Sequence, residues 1–170
     1  MELRQSLWTT LTVAVPGLVI FGWLQIAIAV QGVEHDFLRR LDDSLVLVIS
    51  VIAAIAVLLQ AVGIILERLM IGRWPYRTGS EDDGSLLKLR DQMLASNDPS
   101  ETAERVVAGF FMSHNVAVGM TIVLGWLVGV AIAESPTWIL WVTLPVTAAA
   151  WVVPRDRYAR AVSVLAGMQQ

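Results

Sequence analysis

The sequence predicts an all-α integral membrane protein with four transmembrane helices, and three observations carry that fold class. The chain is 56% hydrophobic and only 16% charged, against about 25% charged residues in ordinary soluble domains. Its charges are clustered, leaving uncharged runs between Arg4 and Glu34, Asp43 and Glu67, Arg105 and Glu134, and Glu134 and Arg155. Each run has at least 20 residues, the length a helix needs to cross a hydrocarbon core of about 30 Å. A single four-helix domain over residues 1–170 follows, with spans at about 7–30, 44–66, 110–133 and 137–153.

The basic residues set the expected orientation. Ten of the 12 Lys and Arg residues fall in the N-terminal tail, the segment between the second and third helices, and the C-terminal tail. The first loop holds only Arg39 and Arg40, and the turn at Glu134-Ser135 holds none. Because Lys and Arg mark the cytoplasmic side, both termini are expected there, in a cell membrane of the bacterial or archaeal cytoplasmic type. Ala27-Ile28-Ala29 has the form of a signal cleavage site. The apolar run before it exceeds the roughly 7–15 residues of a signal core, and "MELRQ" lacks the net positive start. The first helix is therefore expected to be retained.

Helix 1 carries Pro16-Gly17 near its middle. Proline has no N–H to give the Thr12 carbonyl, and membrane helices accept this where hydroxyls or neighbours compensate, so a bend is expected. The loop "QGVEHDFLRRLDDS" mixes Glu34, His35, Asp36, Asp42 and Asp43 with an apolar face of Phe37, Leu38 and Leu41. A metal site needs three or four convergent ligands. With one histidine and scattered carboxylates, no metal is expected.

Helix 2 is rich in Val, Ile, Leu and Ala around one strongly polar residue, Gln60. It runs on into "ERLMIGRWPYRTG", where Arg68, Arg73 and Arg77 interleave with Trp74 and Tyr76. Arginines mixed with aromatics suit the headgroup level, so these five residues are expected to anchor the chain on anionic lipid. The connector 67–109 then holds an acidic turn and, from Ser85 to Ser96, a short amphipathic helix. At net charge −3, with no basic stripe, no nucleic-acid partner is expected.

Helix 3 starts well: Asp98 fits the N-cap, Pro99 the first turn, and Glu101 completes a capping box. Nothing interrupts it up to Ala133, a length on the order of 50 Å. Along it, Gly109, Ser113, Ala117, Thr121, Gly125, Gly129 and Ala133 recur every four residues, and all seven are small. Glycine costs a helix in water about 1 kcal/mol relative to alanine. In lipid there is no hydrophobic drive for helix pairing, and such rows let backbones approach closely. The row is expected to seat helix 3 against helix 2 or 4, or against a second subunit.

Ser135 reads as an N-cap and Pro136 as the first helical residue, so helices 3 and 4 are expected to form a tight antiparallel hairpin. Helix 4 has Trp138 and Trp141 at one end and Trp151 toward the other, as interfacial belts do. Pro145 should bend it and Pro154-Arg155 should end it. The tail 155–170 then reads as an amphipathic helix, with Tyr158, Val162 and Leu165 opposite Arg157 and Arg160.

For chemistry the sequence offers little. With spans drawn this way, none contains Asp, Glu, Lys or Arg at depth, which pumps and proton-coupled transporters require. Gln25 and Gln60 are the deepest strongly polar groups and are expected to bond across helices. His114 and Asn115 sit beside Phe110 and Phe111 at a membrane boundary, where a histidine bonded to a partner is expected. There is no cysteine, and hence no disulfide or thiolate metal site. Nor is there a nucleophile elbow, a phosphate loop or a potassium-filter sequence. No enzyme activity and no cofactor are expected. The expected function is that of a non-catalytic subunit or accessory of a membrane complex, acting through helix association with a second copy or another membrane protein. The alternative is a homo-oligomeric pore or membrane-permeabilising effector.

Overall fold

A computed structural model describes residues 2–31, 44–70, 73, 76, 101–134 and 138–168, with side chains within 11–29, 44–70, 73, 76, 105–129 and 138–162. Four helices account for nearly all of these: α1 (Glu2–Gln31), α2 (Leu45–Met70), α3 (Glu101–Glu134) and α4 (Trp138–Met168). Each contains a segment long and apolar enough to cross a membrane, namely Leu11–Ala29, Leu45–Met70, Arg105–Gly129 and Trp138–Val162. The predicted all-helical, four-span architecture is therefore present.

Local chemistry explains the ends and the prolines. Ser44 precedes α2, and its Oγ accepts the Leu47 amide at 3.4 Å, an N-cap arrangement. Both α1 and α4 continue through their prolines, Pro16 in the first and Pro145 and Pro154 in the second. Around Pro145 the hydroxyls of Thr143 and Thr147 donate back to the carbonyls of Ile139 (2.9 Å) and Thr143 (2.8 Å). The expected stop at Pro154 is not found. Pro154 is buried, and the residues after it, Tyr158, Ala161 and Val162, pack against Val107, Phe110 and Phe111 of α3. That burial holds the next turns helical where an isolated proline would end them.

The helices are organised around α3. It packs on α4, α1 and α2, while α1 also packs on α2. Of its spanning segment 61% is buried, against 11% for α2 and 22% for each of α1 and α4. One core cluster joins α1, α2 and α3 with the start of α4, through Ile20, Ala27, Leu59, Met120, Val123, Leu127 and Ile139. A second lies toward the other end of α3, around Tyr76, Phe110 and Tyr158.

Three glycines set how closely the helices meet. A Cβ on Gly17 of α1 would lie 2.7 Å from the Ala56 Cβ and 2.9 Å from the Ile52 carbonyl oxygen of α2. A Cβ on Gly119 of α3 would overlap Ile20 of α1, and one on Gly63 of α2 would overlap the Asn115 amide of α3. A glycine thus makes room at each of the three crossings among α1, α2 and α3: for the Ile52–Ala56 backbone at Gly17, for the Ile20 side chain at Gly119 and for the Asn115 side chain at Gly63. None of these glycines belongs to the four-residue row read along α3.

Several expected features lie outside the described residues: the loop at 32–43, the residues Trp74 and Arg77, the acidic turn, the amphipathic segment 85–96, the cap at Asp98-Pro99, the Ser135-Pro136 turn, and the side chains of Ala133 and Leu165.

Candidate functional site

Gln60, Glu67, His114 and Asn115 gather where α2, α3 and Tyr76 meet. The site starts from α2, whose inward face carries Ala56, Leu59, Gly63 and Glu67. This spacing of three or four residues keeps them on one side of a helix. At the bare Gly63 the Asn115 amide fills the side-chain space, and His114 Nε2 lies 3.1 Å from the Gly63 carbonyl oxygen. One residue on, Asn115 donates its Nδ2 amide to Gln60 Oε1 at 2.6 Å. Gln60 therefore bonds across helices as expected, while Gln25 is half-buried on α1.

Tyr76 completes the arrangement. Its hydroxyl lies 2.6 Å from His114 Nδ1. A carbonyl can only accept, so Nε2 carries the proton toward Gly63, and in the neutral ring Nδ1 accepts from the tyrosine hydroxyl. The Tyr76 ring meets Phe110 edge-on at 5.3 Å and lies 5.3 Å from Tyr158 and 6.3 Å from Trp151. Phe110 stacks on His114 at 5.9 Å with the planes 18° apart. Burial, and then the charge of nearby Glu67, hold the Tyr76 hydroxyl well above the usual tyrosine range.

Two sequence expectations are corrected here. Tyr76 was expected at the lipid interface with the arginines, yet it is fully buried. Its ring gains more from four aromatic neighbours and a hydrogen bond to His114 than from a headgroup position. Arg68 and Arg73 remain exposed. The second span was also expected to end at 66; in fact α2 runs on to Met70, and Glu67, one turn beyond Gly63, is fully buried within the protein.

The small-residue row divides into two parts. Gly109 lies under Arg157 of α4, whose Nη1 donates to the Gly109 carbonyl at 2.5 Å. Ser113 is buried and donates to the Gly109 and Phe110 carbonyls, and Ala117 is fully buried. Thr121 is exposed but donates to the Ala117 carbonyl and accepts Trp151 Nε1 at 2.9 Å. Gly125 and Gly129, by contrast, have open space where a side chain would project. The first part of the row thus seats α3 in its own chain, while Gly125 and Gly129 face no other described residue.

Chemically, the buried cluster is an aromatic-walled set of hydrogen bonds tying α2, Tyr76 and α3 together, with Tyr158 and Trp151 of α4 closing it. Among the described residues no three His, Cys, Asp or Glu side chains gather as a metal site. No protein family, curated protein or solved structure matches the chain.

Proposed function

We propose that this chain is a non-catalytic subunit or accessory of a membrane complex and acts through helix–helix association. The strip of α3 carrying Gly125 and Gly129 is offered to a helix of a second copy or of another membrane protein. The observation that supports this reading is the open space at both glycines, on the helix around which the others are organised. At 3.6 residues per turn they fall about 120° and 80° from Gly119, which faces α1. In lipid, small residues at such spacing allow backbone contact that a bulkier residue would block.

In this reading both termini are cytoplasmic, and Arg68 and Arg73 meet anionic headgroups, each contributing about 1 kcal/mol. The polar side chains favour a subunit over a pore. Gln60, Asn115 and His114 spend their hydrogen bonds inside the protein and line no opening.

Because the chain has no cysteine, a single Gly125→Cys variant gives a clean test. Oxidative or maleimide cross-linking in native membranes should join it to a second copy or to one discrete partner. A cysteine at lipid-facing Leu144 should give no such product. Equal, diffuse products from both positions would remove the support for association through this strip.

A further inference from the structure

At the end of α3 away from Gly125 and Gly129, Arg157 of α4 lies across Gly109. The bare glycine lets the guanidinium rest on the α3 backbone: a Cβ there would lie 3.2 Å from Nη1 and 3.8 Å from Cζ. Nη1 donates to the Gly109 carbonyl, which also accepts Ser113 Oγ at 3.0 Å. The head of Arg157 is therefore held in place. We propose that this seated guanidinium is a binding site for one phosphate group at the membrane boundary, carried by a lipid headgroup or free. The inference goes beyond the association reading and beyond the attraction of Arg68 and Arg73 to headgroups, and its test is independent of both.

Charge, chemistry and depth point to that ligand. Arg157 is half-buried, and a cation so placed calls for an opposite charge, which the neutral Gly109 carbonyl does not supply. The described carboxylates are engaged elsewhere: Asp156 pairs with Arg160 at 2.6 Å, and Glu67 is fully buried on the inward face of α2. Among residues with described side chains, this end of the bundle sets those two acids against Arg68, Arg73, Arg105, Arg155, Arg157 and Arg160. The guanidinium carries five N–H donors in a planar fork, which matches two oxygens of a phosphate. Depth then selects the anion. The α3 span Arg105–Gly129 has 25 residues, about 37 Å at 1.5 Å per residue, against a hydrocarbon core of about 30 Å. Its first turn therefore lies among headgroups and Gly109 near the hydrocarbon edge, the level that lipid phosphates border.

The test follows binding to the full chain in detergent by native mass spectrometry, with phosphatidylglycerol, phosphatidylcholine and inorganic phosphate as probes. The wild-type protein should retain one phosphatidylglycerol in preference to phosphatidylcholine. Arg157→Gln should weaken that binding about tenfold, as expected for losing a hydrogen bond between charged groups. Arg155→Gln removes the same charge from an exposed neighbour and should change it by about twofold at most. Gly109→Leu keeps every charge but fills the seat, and should weaken binding as Arg157→Gln does. Arg157→Lys keeps the charge and loses the fork, so it should also weaken binding without altering α3, and a melt shows that each variant is folded. Displacement of the lipid by inorganic phosphate would identify a free phosphate as the ligand, and its failure to compete would identify the headgroup. Equal losses from Arg155→Gln and Arg157→Gln, or none from Arg157→Gln, would overturn the site and leave only diffuse surface charge.

Discussion

Tyr76 and His114 are 38 positions apart, and the tyrosine hydroxyl lies 2.6 Å from the histidine Nδ1. This one bond fastens the segment after α2 to the middle of α3, and the opposite ring nitrogen reaches back to Gly63 of α2. Tyr76→Phe keeps the ring and loses only the bond, so it should lower stability in detergent by about 1 kcal/mol. Tyr76→Ala also empties a fully buried site ringed by Phe110, Tyr158 and Trp151, and should cost about 3–5 kcal/mol. Thermal melts of both variants check the order. A Tyr76→Ala protein as stable as the wild type would mean that Tyr76 is not packed there.

The same residue gives a pH dependence with a definite sign. The folded protein holds the Tyr76 hydroxyl neutral above its ordinary range, through burial first and the Glu67 charge second. The unfolded chain ionises it at about pH 10. Stability from this group is therefore complete below about pH 10 and is lost as pH rises further. The stability advantage of wild type over Tyr76→Phe should shrink between about pH 10 and 11.5, measured by melts on both proteins. A constant difference across that range would contradict a buried hydroxyl.

Gly17 and Gly22 lie on the same helix and should respond oppositely to enlargement. A side chain at Gly17 meets the Ala56 Cβ and the Ile52 carbonyl, neither of which can swing away, whereas Gly22 has nothing within 4 Å. Gly17→Leu should push α1 from α2 and cost about 1–3 kcal/mol, while Gly22→Leu should stay within about 0.5 kcal/mol. Chemical denaturation of the pair decides this. Equal effects would mean that the α1–α2 crossing is looser than described.

The helices were legible because charge spacing and apolar length decide them directly. Gln60 as cross-helix glue was legible because a lone polar group in lipid has few other uses. Glu67 could have been found too, since Ala56, Leu59, Gly63 and Glu67 share one helical face. It was missed because the span was ended at the first charge. Tyr76 left no such trace: it lies outside the helices, and only the return of the chain onto α3 buries it. Pro154 misled for a related reason. Local rules end a helix there, but the packing of Tyr158, Ala161 and Val162 on α3 outweighs them. The row of small residues along α3 spirals, so no one neighbour meets all of it: Arg157 covers Gly109, and no described residue comes within 4 Å of a side chain placed at Gly125 or Gly129.

The most direct test of association through α3 compares Gly125→Leu and Gly129→Leu with wild type. Oligomer mass in detergent should be read by light scattering, alongside a thermal melt. Among the described residues nothing meets a side chain at either glycine, so each variant should keep the monomer's helix content and melting behaviour. Each should run as a smaller species, or lose its partner, because leucine blocks the approach of a neighbouring backbone. Wild-type mass and partner retention in both variants would contradict the account and leave Gly125 and Gly129 facing only lipid.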